Sequence, residues 1–237
     1  MTYNTDKETQ VFSLYFDHYV GDDEFTGLLK CVDQRKSEKI LKCYHQEDAQ
    51  RSLFAYLLSK YMISIYSGRG MNDIDLIYNE YGKPYTKEKH LYFNLSHSGD
   101  MVLGIIDTQE VGIDVEKISN INIDIARRFF TTNECKYIYA HQENIQFRFY
   151  EIWTQKESYL KAIGKGLNIP LRSFDVCQRM IFYNNKKFYP KKLPINELYI
   201  GALCSMKENV NFTIINYDIK EFLDALRMRE DDAYIRI

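Results

Sequence analysis

A chain of 237 residues with 45% hydrophobic and 27% charged side chains, four prolines and a formal charge of −2 can bury a substantial core in one large or two small domains. That near-neutral balance excludes a protein whose main task is gripping nucleic acid, which would carry a strongly basic footprint, but leaves room for a local cationic pocket. Five scattered cysteines (31, 43, 135, 177 and 204) with no Cys-x-x-Cys pair, an N-terminus without an apolar signal core, and no aliphatic run longer than the stretch at 101–106 point to a reduced, cytoplasmic protein with no zinc site and no membrane span.

Residues 11–20 alternate loosely (Val11, Leu14, Phe16) and predict a first strand, followed by a turn at Gly21. Across 36–66, the spacing of Phe54, Leu57, Leu58, Tyr61, Met62 and Ile65 predicts a buried helix face, with Gly68 as the stop. Lys36, Lys39 and Arg51 near its start read, taken singly, as a solvated face. A β-rich block follows. Ile74 and Leu76 alternate, Tyr81-Gly82-Lys83-Pro84 is a turn, and Leu91, Phe93 and Leu95 alternate into a polar loop at 94–99 that holds Ser96 and His97. Strands at 101–106 and 111–116 are joined by four residues, which is consistent with a hairpin.

The best boundary lies at 117–122, dividing the chain into expected halves 1–117 and 118–237. The second half repeats the rhythm of the first. A helical pattern at 123–130 precedes Thr131-x-x-Glu134, a capping box. A long helix at about 144–164, strands at about 174–183, 198–206 and 210–217, and a closing helix capped by Asp218-x-x-Glu221 come next. The tail after Arg227 is charged and carries no motif.

The long second helix poses the sharpest question. Ile145, Phe149, Ile152, Trp153, Leu160 and Ile163 form one apolar stripe, and Lys156 lands in its middle. An ammonium on a packing face needs an anionic partner. That partner is either a carboxylate inside the protein or a ligand phosphate. Glu157 and Lys161, one turn apart on the edge of the stripe, read by themselves as a surface ion pair.

In Val111-Gly112-Ile113-Asp114-Val115-Glu116, the three aliphatic residues point one way and Gly112, Asp114 and Glu116 the other. Two carboxylates about 7 Å apart suit a hard divalent cation such as Mg²⁺ with Gly112 leaving room, or simply a half-exposed acidic strand. Glu157 would be a third oxygen ligand. Lysines beside such a metal make sense when a phosphate shares it. His97 alone is a weak candidate for a phosphate contact, and the capping box explains Glu134 without chemistry. The chain lacks the P-loop, dinucleotide-fingerprint and zincin motifs.

Gly112-Ile113-Asp114-Val115-Glu116, Phe129-Phe130-x-x-x-Glu134 and Trp153-x-x-Lys156-Glu157-Ser158-x-x-Lys161-x-x-Gly164-x-Gly166-Leu167 resemble the 4′-phosphopantetheinyl transferases, in particular the long, surfactin-synthetase-activating type. Tyr81-Gly82-Lys83-Pro84-Tyr85, the stretch 93–99 and Glu47-Asp48-Ala49-Gln50-Arg51-Ser52 resemble that family's coenzyme A contacts. The resemblance implies an α+β fold of two similar halves, a pseudo-dimer, each a small mainly antiparallel sheet packed with a long helix, with coenzyme A in the cleft between them. It implies Mg²⁺-dependent transfer of phosphopantetheine from coenzyme A to a serine of an acyl, peptidyl or aryl carrier domain, releasing 3′,5′-ADP. By carry-over, Asp114, Glu116 and Glu157 hold Mg²⁺, and Asp114, Glu157 and Lys161 carry the chemistry. Lys36, Lys39, Arg51 and His97 hold the 3′-phosphate, Lys83 with Ser96 and its loop flanks the adenosine, and Lys156 is a further candidate contact. A pseudo-dimer needs no second copy to complete its cleft. The carrier is expected beside the 119–130 segment, with Ile121, Ile123 and Phe129 as candidates. Two rivals are another Mg²⁺-dependent phosphoryl or nucleotidyl transferase, and a non-catalytic module that binds coenzyme A or carriers.

Overall fold

Strands with apolar residues on both faces must be covered on both sides, and that requirement gives the molecule four layers. The computed structural model describes residues 8–88 and 90–234; residues 1–7 and 235–237 of the two expected halves lie outside the described residues. The first part of the chain contains β1 (Thr9–Tyr15), α1 (Asp22–Leu29), α2 (Gln34–Leu41), α3 (Gln46–Ser67), β2 (Leu76–Tyr78), β3 (Pro84–Thr86), β4 (Tyr92–Ser98) and β5 (Met101–Asp107). The second contains β6 (Val111–Lys117), α4 (Ile125–Phe129), α5 (Thr132–Tyr139), α6 (Ile145–Ile163), β7 (Ile181–Tyr183), β8 (Lys186–Asn196), β9 (Tyr199–Ser205), β10 (Phe212–Asp218) and α7 (Ile219–Tyr234).

One four-stranded sheet has the order β10-β1-β5-β4, a second has the order β6-β9-β8-β7, and β2 and β3 form a separate two-stranded sheet. All pairings are antiparallel except β1 with β10. Val11, Met101, Leu103 and Ile105 of the first sheet pack against Val111, Ile113 and Val115 of the second in one central core. Phe12, Leu14, Val102 and Ile106 face outward onto α3 and α7. Ile200, Cys204 and Phe188 face the other way onto α6. The fold is thus α+β, two similar halves that each set a small sheet on one long helix, with a seam between them. No helix among the described residues is long and apolar enough to cross a membrane.

Several expectations need correction. The predicted helix at 36–66 is two helices. Asp33 caps α2 by accepting the Lys36 N–H, and a fresh start after His45 puts Glu47 and Asp48 in the first turn of α3, where the helix dipole favours acids. Ile65, expected on the buried face, is 37% exposed. The turn at Gly21 leads directly into α1. β5 and β6 do not form a hairpin: β5 pairs with β1 and β4, and β6 pairs with β9. The three-residue connection at 108–110 crosses between sheets, anchored by buried Asp107 at the end of β5, which accepts hydrogen bonds from Thr9 and from Lys207 Nζ at 2.7 Å. β4 runs through Ser98, so Ser96 and His97 lie on a strand and not in a loop. A cut at 117/118 does not separate the halves cleanly, because β6 already belongs to the second sheet while β10 and α7 return to the first.

Both capping boxes are present. Thr131 and Glu134 exchange bonds at the start of α5. The Asp218 N–H donates to Glu221, and the Glu221 N–H donates to Asp218 Oδ1 at 2.7 Å. Gly68 and Gly164 end α3 and α6 in the left-handed region, at φ 75° and 68°.

Candidate active site

An edge strand leaves every second N–H unpaired, and β6 meets β4 of the other half along such an edge. Short polar side chains on one face of β4 satisfy it. The N–H groups of Ile113, Val115 and Lys117 donate to Asn94 Oδ1, Ser96 Oγ and Ser98 Oγ at 2.9, 3.3 and 3.1 Å. Both serines then turn their hydroxyl protons on the carboxylates of β6. Ser96 donates to Asp114 Oδ1 and Ser98 to Glu116 Oε2, each at 2.8 Å. The seam between the halves is therefore also the support of the two acids. The sequence reading placed Ser98 only in the loop expected to flank the adenosine and missed its support of Glu116, although Asn94, Ser96 and Ser98 at period two were the signature.

The opposite wall is α6. Gly112 is where the helix comes closest: a Cβ there would lie 2.0 Å from the Ser158 carbonyl oxygen and 2.4 Å from the Ala162 nitrogen. Its small size therefore serves helix–strand contact, where the sequence suggested room for a metal. That contact presents Trp153, Glu157 and Lys161 to β6. Trp153 Nε1 donates to Glu116 Oε1 at 3.3 Å. Lys161 Nζ lies 2.6 Å from Asp114 Oδ1 and 2.7 Å from Ser96 Oγ.

Asp114 is 3% exposed, and its Oδ2 is buried with no hydrogen-bond partner. Burial pushes its carboxyl upward against the pull of Lys161. Burial also raises Glu116, opposed by the Ser98 hydroxyl and reinforced by Asp114. Glu157 is pushed up to about 7, first by burial, then by the charge of Asp114, with Lys161 opposing and Glu116 adding. The charge of Asp114 thus adds to the burial that raises both Glu116 and Glu157, and Lys161 opposes the rise at all three acids. Among the described residues no three acidic, histidine or cysteine side chains converge as a preformed metal cage. Mg²⁺ does not require one, since it keeps several waters and takes one or two carboxylates plus substrate phosphates.

His97 points away from this cluster but remains near it. Its imidazole is held below the ordinary range by loss of hydration, then by Lys161, Arg51 and Lys36, with Asp48 opposing. Lys36 Nζ donates to Ser52 Oγ at 2.9 Å, and burial and neighbouring Lys39 lower its pKa. Arg51 donates to the Tyr19 hydroxyl and to Asp48 Oδ1, both at 2.6 Å. Lys39 and Arg35 each lie 5.8 Å from the Tyr78 ring centroid. The expected phosphate-binding residues thus form one cationic bank reaching Lys161. Ser52, part of the stretch expected to contact coenzyme A, joins it, as do Arg35 and Tyr78, which were not anticipated.

Three expected ligand contacts are corrected. Lys156 is fully buried, and its ammonium is taken by Glu134 Oε1 at 2.8 Å and by the carbonyls of Leu171 and Phe174 at 2.7 and 2.9 Å. It pairs inside and does not reach a ligand. Glu134 thereby caps α5, accepts the Val176 N–H at 2.9 Å and neutralises Lys156. Replacing Lys156 by methionine strands a buried carboxylate and is expected to cost about 3–5 kcal/mol. Urea unfolding measures this, and a loss below about 0.5 kcal/mol would contradict the assignment. Ser96 has its hydroxyl fully used by Asp114, Lys161 and Val115, so it positions the acid. Lys83 donates to the carbonyls of Lys161, Ala162 and Val111 at 2.5, 3.0 and 3.5 Å, and burial pulls its ammonium down to about 8.

Beside Trp153, an apolar groove of about 430 Å³ is lined by Ile125, Phe129, Leu167, Ile169, Pro170 and Leu171, with Arg128 and Arg172 at its rim. Phe129 is largely exposed, whereas Ile121 and Ile123 pack partly into the second core.

A family model described as the 4′-phosphopantetheinyl transferase superfamily matches residues 110–202, and one described as 4′-phosphopantetheinyl transferase, N-terminal, matches residues 21–108. The two matches meet in the connection where the chain crosses between sheets. The 4′-phosphopantetheinyl transferase gsp of Aneurinibacillus migulanus is 38% identical over 215 residues, covering 85% of this chain and 90% of that one. The 4′-phosphopantetheinyl transferases ffp of Bacillus subtilis and Sfp of Bacillus subtilis strain 168 are each 37% identical over 169 residues, covering 70% of this chain and 75% of theirs.

Proposed function

The chain belongs to the 4′-phosphopantetheinyl transferases and transfers phosphopantetheine to carrier proteins, and on that premise we propose that Asp114, Glu116, Glu157 and Lys161 form its active site. Coenzyme A is the donor. Lys36, Lys39, Arg51 and His97 would hold its 3′-phosphate, and their continuity with Lys161 supports one extended anion site. The observation that carries this reading is the buried, unpartnered Oδ2 of Asp114 beside two further acids of raised pKa.

Asp114, Glu116 and Glu157 would hold Mg²⁺, which when bound supplies charge neutralisation on the pyrophosphate. Glu157, directly or through a water that it orients, takes the proton of the carrier serine. The serine Oγ bonds to the phosphorus that carries pantetheine, the bridging P–O bond breaks, and 3′,5′-ADP leaves with the electron pair. Lys161 offers its ammonium to the charge that develops on the phosphate oxygens. Acyl, peptidyl and aryl carrier domains are the proposed acceptors, seated by the groove at Ile125 and Phe129, one indole away from Glu116. Five free thiols suit a reducing compartment, and the cytoplasm is the proposed location.

The raised acids make stability depend on pH. The folded chain keeps protons that the unfolded chain releases, so stability from these groups declines as pH rises above the unfolded carboxylate range, and for Glu157 the loss is complete above about 7. A cation that neutralises them reverses the loss. Mg²⁺ is therefore expected to raise Tm more at about pH 8 than at about pH 5.5. Scanning calorimetry tests this; equal shifts, or none, would count against a metal at these residues.

A further inference from the structure

We propose that Lys83, with Asn79, is a positioning residue for transfer: together they clamp the last turn of α6 and the start of β6, holding Lys161, Glu157 and Asp114 in register. The inference rests on the assignment of those three residues to the active site.

The clamp is built from the turn between β2 and β3. Asn79 Oδ1 accepts the N–H groups of Tyr81 and Lys83, both at 2.9 Å, and the Asn79 N–H donates to the Lys83 carbonyl at 3.0 Å. This side-chain turn fixes the direction in which Lys83 leaves the backbone. Its ammonium then meets Lys161 and Ala162 oxygens at 2.5 and 3.0 Å, carbonyls of the final helical turn that have no partner within the helix. A cation there also meets the negative end of the helix dipole. The third acceptor is Val111, the first residue of β6, at 3.5 Å. Asn79 Nδ2 completes the grip by donating to the Gly164 carbonyl at 3.0 Å.

An ammonium has three protons, and these three carbonyls take them all. Nothing remains for a phosphate or an adenosine. Lys83 instead ties a turn of the first half to the two elements that carry the acids and Lys161. Loss of the ammonium would free the end of α6 and shift Lys161 without touching the bank at Lys36, Arg51 and His97.

The test compares Lys83→Met, which keeps most of the apolar stem, with Lys83→Arg, which keeps the cation. For Lys83→Met, kcat should fall about 10- to 100-fold while the Kd for coenzyme A, read by calorimetry, changes less than about twofold. Amide exchange in the last turn of α6 should quicken, and Lys83→Arg should return kcat to within about threefold of the parent. A Kd raised about tenfold at unchanged kcat would make Lys83 a ligand contact and overturn the proposal, as would unchanged values of both. If Lys83→Met fails to fold, Asn79→Ala carries the same expected split, and a normal kcat for it overturns the proposal. Absence of transfer by the parent chain would instead overturn the active-site reading beneath it.

Discussion

Replacing Asp114 by asparagine is expected to lower transfer to a carrier by about a thousandfold or more while the protein stays folded. The amide keeps the size of the carboxylate and can still accept the Ser96 hydroxyl that reaches Oδ1 at 2.8 Å. What it loses is charge, at a position 3% exposed where burial already penalises the ionised form. Removing a buried charge with one unpartnered oxygen relieves the fold as much as it harms it, and Lys161, partly open to solvent, can be hydrated. Tm is therefore expected within about 3 °C of the parent. Chemistry has no such compensation, because an uncharged amide oxygen holds a divalent cation on a pyrophosphate far more weakly than a carboxylate does. Initial rates of carrier modification, measured beside thermal unfolding, check both halves. A rate within about tenfold of the parent would remove Asp114 from the proposed machinery.

The second large effect is steric and begins at a residue with no functional group. Gly112→Ala places a Cβ 2.0 Å from the Ser158 oxygen, 2.4 Å from the Ala162 nitrogen and 3.0 Å from the Ala162 Cα. All three are backbone atoms of α6, so no flexible side chain can move aside. Either β6 or α6 must shift, and each is held from behind: β6 by β9 and the seam serines, α6 by the core around Phe149, Tyr159 and Leu160. Overpacking of this kind is expected to destabilise by about 3 kcal/mol or more. Molecules that remain folded should transfer about a hundredfold more slowly, because the shift moves Glu157 and Lys161 relative to Asp114. Urea midpoints and rates in the folded range check the two effects. Near-parent values for both would show that the helix has room the distances deny.

Some of this was legible in the sequence. Period two at 111–116 put Gly112, Asp114 and Glu116 on one face, and they do face α6. The apolar stripe at 144–164 marked a packed helix, and both capping boxes close as written. These are local signals that burial later reinforces. What failed was non-local. The short connection expected between the strands at 101–106 and 111–116 fits a hairpin or a crossover equally well; the choice is made by β9, far along the chain, which pairs with β6. β8 was missed because Pro190, Pro194 and four lysines dilute its alternation. Those prolines are tolerated because β7 pairs only with the first residues of β8, leaving the rest of that side an open edge. Return of β10 to lie parallel to β1 has no local signature at all.

The lysines teach the same lesson within the site. The sequence shows Lys156 and Lys161 as cations on one helix and Lys83 as a cation in a turn, but not which acceptors they reach. Lys156 finds Glu134, Lys83 finds the carbonyls of a helix end, and Lys161 finds Asp114. Of the three, Lys161 alone opens toward the cationic bank that includes His97. The corrected ligand set is therefore smaller than the motif suggested, and the supporting set larger.

The most direct test of the central claim is the intact mass of an apo carrier domain incubated with this chain, coenzyme A and Mg²⁺. Within the time the parent chain needs to add one phosphopantetheine unit to the carrier, no addition should be seen in excess EDTA or when Asp114 is replaced by asparagine. An unchanged carrier mass with the parent chain, or full modification by the Asp114→Asn variant, would contradict it.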